Sequence, residues 1–173
     1  EYDVILAPSE FTALLSQTVC DMASGRTLVE GTSIYANKEN QRVMNEKISL
    51  TSGLNTEGNA FFAIDQEGFF APAATIIDHG VFKQHYFDSY YAALAGKKTT
   101  GNCRRVAGNY ENWFAAPPTV HLNNFEINAG TTSLDKLIAE TKHGILVERT
   151  GWPLADPVSG SFSCEVRSGF LIE

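Results

Sequence analysis

The chain has 173 residues, of which 43% are hydrophobic and 11% aromatic, so it can bury a sizeable core and is not expected to be disordered. Its 13 basic and 20 acidic side chains give a formal net charge of −7, which argues against nucleic acid or an anionic membrane as a partner. Three widely spaced cysteines argue against a disulfide scaffold or a cysteine zinc site and predict a reducing, cytoplasmic location. No apolar run approaches the roughly 18 residues of a membrane span.

The first half of the chain predicts a strand, a helix and a hairpin. Residues 3–6 form a short apolar run typical of a buried strand, and Pro8 opens a helix for which Ser9 is the expected cap. Apolar residues from Phe11 to Met22 fall on one face of that helix. A tight hairpin turn is predicted at residues 78–80.

The second half predicts two further helices and a closing pair of strands. A short helix is expected at residues 89–94, and a clearer one follows a cap at Thr132 or Ser133. Leu134, Leu137 and Ile138 form the expected buried stripe of that helix. Residues 144–148 predict a strand, which a glycine- and proline-containing loop around Trp152 should end.

Short strands, hairpin turns and two or three helices indicate an α+β fold with a mainly antiparallel β-sheet. We expect residues 1–173 to form a single domain, which is a fragment of a longer protein.

Two polar segments are candidate functional sites. Asp65 and Glu67 would share one face of an extended backbone, as a general acid and base might, but a turn in which Asp65 bonds a backbone amide near Gly68 is the favoured interpretation. Residues 99–105 contain almost no apolar side chain, and their arginines offer forked donors to a carboxylate or a carbonyl. A plain surface turn is the alternative for that segment.

Seven short motifs then occur in a characteristic order. They are Ile64-Asp65-x-Glu67-Gly68, Ile76-Ile77-Asp78-x-Gly80-Val81, Asp88-x-Tyr90-x-Ala92, Thr100-Gly101-Asn102-x-Arg104, Asn128-Ala129-Gly130-Thr131-Thr132-Ser133, Gly144-Ile145-Leu146-Val147 and Ser159-Gly160-x-Phe162-Ser163. Together they resemble the C-terminal half of the TldD/PmbA family, which is also named for modulation of DNA gyrase and includes the TldD/TldE peptidase.

The resemblance implies a protein two to three times as long, with an N-terminal α/β region, that forms homodimers or heterodimers around a cavity. It also implies degradation of small or unfolded peptides. In TldD-type members a His-Glu-x-x-x-His helix and a later cysteine hold zinc, whereas TldE/PmbA-type members lack that helix and act as the partner subunit.

This chain departs from the TldD pattern where the metal helix should lie. By position, the His-Glu-x-x-x-His motif is replaced by Ser16, Gln17 and Asp21. Ser16 and Gln17 are poor zinc ligands and cannot act as a carboxylate base. Cys20 and Asp21 are adjacent, so they point about 100° apart on a helix. The four histidines show no metal-ligand spacing. We therefore expect no metal and no other cofactor, as in the PmbA/TldE branch.

The resemblance places Thr100, Asn102, Arg104, Asp65 and Glu67 as candidate peptide-binding residues. Arg104 could instead form a structural ion pair with Asp65, Glu67 or Asp88. The leading hypothesis is a non-metal subunit that forms a homodimer, or pairs with a zinc-bearing TldD-like subunit, and binds an unfolded peptide. The alternatives are a non-enzymatic peptide- or protein-binding module and, less favoured, a hydrolase that uses Asp65 and Glu67.

Overall fold

The computed structural model describes residues 2–58, 60–106, 114–156, 159 and 161–173. The chain divides into two compact units, which we call the terminal unit (Glu1–Thr18 with Ala129–Glu173) and the central unit (Val19–Asn128). Gly160 of the last motif lies outside the described residues. The single-domain organisation of residues 1–173 stays a prediction.

The terminal unit contains a three-stranded sheet in the order β1-β8-β9. Strand β1 (Asp3–Leu6) runs parallel to β8 (Gly144–Ala155), and β8 pairs antiparallel with β9 (Phe162–Ile172). The register between β8 and β9 shifts at three places, one of them between Gly151 and Leu154. Strand β8 therefore continues through the segment around Trp152 where the sequence predicted a loop, and that prediction was wrong.

The helices of the terminal unit correct two further expectations. Helix α1 (Pro8–Leu15) begins with Pro8 in its first turn and has Ala7 as N-cap, so the predicted cap at Ser9 was wrong. Helix α5 (Leu134–Glu140) has Ser133 as N-cap, and its hydroxyl accepts a hydrogen bond from the Lys136 amide at 3.3 Å. Leu134 and Leu137 are nevertheless exposed, so the buried stripe expected on this helix is wrong.

The helical path continues after α1. A π-helical turn spans Ser16–Cys20 and leads into the short helix α2 (Asp21–Ala23), and the boundary between the two units falls inside this turn. Helix α3 (Gly25–Val29) follows, and its N-cap Ser24 accepts a hydrogen bond from the Arg26 amide.

The central unit is built on a four-stranded antiparallel sheet and a smaller ribbon. The sheet has the order β4-β3-β2-β7 and consists of Leu50–Ser52 (β2), Ala74–Asp78 (β3), Val81–Phe82 (β4) and Phe125–Ile127 (β7). The ribbon pairs Cys103–Arg105 (β5) with Pro118–Val120 (β6), and helix α4 covers Ser89–Leu94. Leu50, Ile76, Ile77 and Phe82 are fully buried in this unit. Their burial supplies the main hydrophobic stabilisation of the sheet.

The predicted turn at residues 78–80 joins β3 to β4. His79 and Gly80 have φ angles of 47° and 77°, which are the left-handed conformations that a tight two-residue hairpin requires. With mostly antiparallel pairing and helices placed between strands, the α+β fold class is confirmed. Within the described residues, no helix has the length and apolar character needed to cross a membrane.

Candidate functional site

Asp65 organises the turn that contains both candidate carboxylates. Its buried Oδ1 accepts hydrogen bonds from the amides of Glu67 at 3.0 Å and Phe69 at 2.9 Å. Its Oδ2 accepts a third from the Cys103 amide at 3.1 Å, which ties the turn to strand β5. An aspartate that bonds the amides of its own turn matches the turn interpretation made from the sequence.

Glu67 points from the same turn to the start of helix α4. Its two carboxylate oxygens accept hydrogen bonds from the amide and the hydroxyl of Ser89, at 2.8 and 2.7 Å. Beside it, the Asp88 carboxylate caps the helix by accepting from the Tyr91 amide at 2.8 Å. Burial raises the pKa of Asp88, the charges of Glu67 and Asp65 act in the same direction, and the Tyr91 hydrogen bond opposes them.

Thr100 and Asn102, just before strand β5, are brought together by a hydrogen bond. The Thr100 hydroxyl accepts from the Phe87 amide at 2.7 Å and lies 2.7 Å from Asn102 Oδ1, to which it can donate. Asn102 Nδ2 donates to the His121 carbonyl at 3.2 Å. Between them, Gly101 has a φ of 72°, and a Cβ at this position would collide with the Phe70 carbonyl oxygen. Glycine is thus required both by conformation and by close approach.

Arg104 lies on β5, opposite Thr119 of β6, and is half-buried. No carboxylate of Asp65, Glu67 or Asp88 lies within 4.0 Å of its guanidinium, all four residues being among those the structure describes. The structural ion pair considered from the sequence is therefore not formed.

A cavity of about 250 Å³ adjoins Thr100 and Asn102. One wall is formed by residues 72–74 and 76, leading into and along β3, and the other by Gln84, His85 and Tyr86, which follow β4. The last backbone hydrogen bond between these walls runs from the Lys83 amide to the Ile76 carbonyl at 2.9 Å. In the described chain no backbone hydrogen bond joins residues 72–74 to residues 84–86. The segments after β4 and before β3 thus diverge beside the cavity. Tyr86 bonds Ala23 and Gly25 through its amide and carbonyl, whereas in the described chain the amides and carbonyls of Gln84 and His85 make no backbone hydrogen bond.

Asp65, Glu67 and Arg104 do not line this cavity. The structure therefore brings two of the five sequence candidates, Thr100 and Asn102, to one cavity. It places Asp65 and Glu67 in the turn that anchors β5 and α4, where their oxygens are already engaged.

His85 is a cavity-lining residue that sequence reasoning did not single out. Its ring is buried against Phe82 in an edge-on contact with centroids 4.8 Å apart. Nδ1 has no hydrogen-bond partner, and Glu39 Oε1 lies 3.8 Å away. Burial lowers the pKa of His85, although the Glu39 charge acts in the opposite direction. Its polar neighbours Glu39 and Ser33, whose Oγ lies 3.5 Å from Nε2, are 46 and 52 positions away, so no local motif marks this histidine.

The helical segment that would carry the family's zinc does not fit that ion. Ser16 donates its hydroxyl to the Ala13 carbonyl at 2.8 Å, and Gln17 is not a usual zinc ligand. Burial raises the pKa of Cys20, with Asp21 acting in the same direction, whereas zinc binds the thiolate. Across the described residues, no group of three or more His, Cys, Asp or Glu side chains is arranged to hold a metal. No catalytic step through zinc can be derived from this chain.

Comparison with known proteins places this arrangement in a family. Residues 1–173 match the model of the PmbA/TldA metallopeptidase C-terminal domain. The chain is 26% identical to a zinc metalloprotease TldD homolog of Saccharolobus solfataricus, with all of this chain and 38% of the relative covered. A metalloprotease TldD homolog of Haemophilus influenzae is 27% identical over 98% of this chain and 34% of its own length.

The solved structure of TldE from Thermococcus kodakarensis has the same fold. It superposes with a TM-score of 0.84 at 27% identity and covers 98% of this chain. The alignment covers 38% of that TldE chain, so this chain spans well under half the length of the proteins it matches. Because the domain model is matched along all 173 residues, the chain belongs to the PmbA/TldA (TldD/PmbA) metallopeptidase family.

Proposed function

We propose that this chain is part of the non-metal subunit of a TldD/TldE-type cytoplasmic peptidase and binds unfolded peptide for a zinc-bearing TldD-like partner. The proposal rests on a contrast between the family that the chain matches and the metal-binding side chains that its described residues offer. The chain matches a metallopeptidase domain along its length, yet its described residues offer no grouped metal ligands. The likeness to TldE supports the same assignment.

The cavity beside β3 supports the peptide-binding part of the proposal. Gln84 and His85 line it and make no backbone hydrogen bond within the described chain, so an extended peptide can pair with their main-chain groups in the manner of strand addition. Gln84, Thr100 and Asn102 add side-chain amide and hydroxyl groups to the lining. At about 250 Å³ the cavity is smaller than the roughly 300–1,000 Å³ of typical small-molecule pockets, which suits a short stretch of a longer peptide.

The remaining candidates have distinct roles in this proposal. Asp65 holds strand β5 through the Cys103 amide, and Glu67 holds the start of helix α4 through Ser89. Arg104 does not line the cavity and has no ion pair with them, and in this proposal it binds a carboxylate or carbonyl of the peptide outside the cavity. Dimer formation around a shared cavity with the partner subunit belongs to the same proposal, and neither nucleic acid nor a membrane is involved.

Metal analysis and reconstitution test the subunit assignment. The purified protein alone should hold no stoichiometric zinc and should hydrolyse no peptide, whereas mixing it with a zinc-bearing TldD-type protein should increase peptide turnover. Stoichiometric zinc together with peptidase activity of the protein alone would refute the proposal. Peptide binding without any gain in turnover on mixing would favour the non-enzymatic binding module.

A matched pair of variants tests the cavity. Ala73 lines the cavity and Ala93 lies exposed on α4 away from it. Ala73→Leu should fill part of the cavity and weaken the binding of a fluorescent unfolded peptide several-fold, and Ala93→Leu should leave binding unchanged. Equal peptide affinities for the two variants would show that the peptide does not bind in this cavity.

A further inference from the structure

The cavity beside β3 has a neutral, polar lining. Among the described residues that line it, none is Asp, Glu, Lys or Arg. Burial lowers the pKa of His85, so the histidine of the lining adds no charge at neutral pH. The lining includes the hydroxyl and carboxamide side chains of Ser52, Gln84, Thr99, Thr100 and Asn102. Because burying an unpaired charge is costly, such a lining disfavours a charged side chain of a bound molecule.

The hydroxyl groups of this lining are already engaged inside the protein. Ser52 donates to the Asn123 carbonyl at 2.7 Å and accepts from the Asn123 amide at 3.0 Å. Thr99 donates to the Phe87 carbonyl at 3.2 Å and accepts from the amide two residues further on. Thr100 is likewise bonded to Phe87 and to the neighbouring carboxamide. Side-chain recognition in this cavity therefore depends mainly on its two carboxamides.

Each carboxamide keeps one unused hydrogen-bonding group. Half-buried Gln84 donates through Nε2 to the Thr75 carbonyl at 3.2 Å, and its Oε1 has no partner among the described residues. Buried Asn102 pairs its Oδ1 with Thr100 and donates one N–H to the His121 carbonyl, which leaves its second N–H without a partner in the same part of the chain. The cavity thus offers a free acceptor on Gln84 and a free donor on Asn102.

We propose that this cavity is a subsite for the side-chain carboxamide of an asparagine or glutamine in the bound peptide, with Gln84 and Asn102 as the residues that determine specificity. A carboxamide carries a carbonyl that can accept from Asn102 and an NH2 group that can donate to Gln84. Main-chain pairing supplies affinity without selecting a side chain, so selection has to come from a pocket. The inference rests on the proposed peptide binding and adds the class of peptide that is preferred.

Other side chains match these two groups less well. Aspartate has the shape of asparagine, but its carboxylate would face the Gln84 oxygen and would find no cation in the described lining. Leucine would leave both carboxamides unpaired, and an unsatisfied buried polar group is costly. Lysine is the charged side chain that a neighbouring group could favour, since Glu39 lies 3.8 Å from His85 Nδ1, although Glu39 does not itself line the cavity.

Guest peptides test this specificity on the unaltered protein. A fluorescent glycine–alanine host peptide, which has no polar side chain, receives asparagine, aspartate, leucine or lysine at one central position. The asparagine peptide should bind about tenfold more tightly than the leucine peptide, because leucine loses two hydrogen bonds. The aspartate and lysine peptides should bind no more tightly than the leucine peptide. Fluorescence anisotropy at pH 7 measures all four dissociation constants.

Gln84→Met tests the free acceptor, and Gln41→Met is its matched control. Gln41 also donates its carboxamide to a backbone carbonyl, that of Asn37 at 3.1 Å, but it is exposed and does not line the cavity. Gln84→Met should lower the asparagine-to-leucine affinity ratio about threefold or more, whereas Gln41→Met should leave it unchanged. Because both peptides are measured on the same protein, a change in stability alone does not alter this ratio.

The outcomes separate this inference from the proposed function. Equal affinities for the asparagine, leucine and aspartate peptides, together with weaker binding of all of them to Ala73→Leu, would overturn the inference and leave peptide binding in place. Tightest binding of the lysine peptide, or a ratio that Gln84→Met does not change, would also overturn it. If no guest peptide binds, or if Ala73→Leu binds them all as the wild type does, the peptide-binding function and the inference both fail.

Discussion

In the central unit, several polar side chains are buried and make their hydrogen bonds inside the protein. Asp65, Asp88 and Asn102 are buried there, and each accepts or donates a bond at a turn or helix end. In the terminal unit, by contrast, strand β9 exposes large apolar side chains such as Phe162, Val166 and Phe170. Of the buried hydrophobic residues in the described chain, only Leu15 and Val147 belong to the terminal unit.

This difference separates two kinds of effect. A substitution of one of these buried hydrogen-bonded residues removes an internal partner, so it should change the free energy of unfolding. A substitution of an exposed side chain on β9 should leave the free energy of unfolding nearly unchanged. The predictions below test that separation in order of expected size.

The largest effect is expected at Asp65. Asp65→Ala leaves the amides of Glu67, Phe69 and Cys103 without their acceptor, and hydrogen bonds to charged groups contribute roughly 1.5–3 kcal/mol each. We expect a loss of about 3 kcal/mol in urea unfolding, because solvent recovers part of the cost. Glu165→Ala on β9, where the side chain is exposed, should cost no more than about 0.5 kcal/mol. Similar losses of unfolding free energy for Asp65→Ala and Glu165→Ala would contradict this distinction between the two units.

Gly101 should show the next largest effect, and Gly96 supplies a matched control. Both have positive φ, 72° and 64°, but a Cβ at Gly101 would strike the Phe70 carbonyl whereas none at Gly96 meets an atom within 4 Å. Gly96→Ala should cost about 1 kcal/mol, the usual penalty for this backbone conformation. Gly101→Ala should cost about 2–3 kcal/mol, because the close approach adds a steric penalty. Equal melting temperatures for the two variants would show that the Phe70 carbonyl leaves room for a Cβ at residue 101.

Asp88 should contribute a smaller, pH-dependent term. Asp88→Ala loses the N-cap of α4 and should cost about 1 kcal/mol, whereas Asp88→Asn keeps an acceptor for the Tyr91 amide. Because burial raises the native pKa above the ordinary 3.8, the native state binds the proton more tightly than the unfolded chain. Wild-type stability relative to Asp88→Asn should therefore fall as pH rises from 3.8 through the raised pKa. A difference independent of pH would contradict the assignment.

His85 should show the reverse dependence. Its native pKa is lowered below the ordinary 6.5, mainly by burial, with Glu39 opposing and Lys97 assisting. Below pH 6.5 the unfolded chain therefore takes up a proton that the native ring resists, and stability falls as pH drops toward the lowered pKa. His85→Gln should remove that part of the pH profile in chemical unfolding. An unchanged profile would mean that the ring titrates as freely in the native state as in the unfolded chain.

The sequence could predict the features of this molecule that depend on local signals. The cap at Ser133, the hairpin at residues 78–80 and the Asp65 turn each depend on side chains within a few residues of the backbone they bond. The α+β class can be predicted from the same signals, because short strands and turns restrict how helices and sheets can pack in layers.

Long-range pairing accounts for what was missed. The glycine and proline around Trp152 indicate a loop, but Gly151 and Leu154 pair with Glu165 and Ser163, and a register shift absorbs the residues between them. Proline is tolerated in a strand at such irregularities. The environment of His85 likewise comes from Ser33, Glu39 and the strand residue Phe82, which no motif connects.

The smallest effect on stability is expected at Arg104, and it is the one that bears most on function. Because no ion pair joins it to Asp65, Glu67 or Asp88, Arg104→Ala should change unfolding by no more than about 0.5 kcal/mol. If its guanidinium binds a peptide carboxylate or carbonyl, the same variant should weaken peptide binding several-fold, and Arg104→Lys should restore only part of it because lysine lacks the fork. Unchanged peptide affinity with a lowered melting temperature would make the residue structural. Arg104 would then join Asp65 among the groups that hold the central unit together.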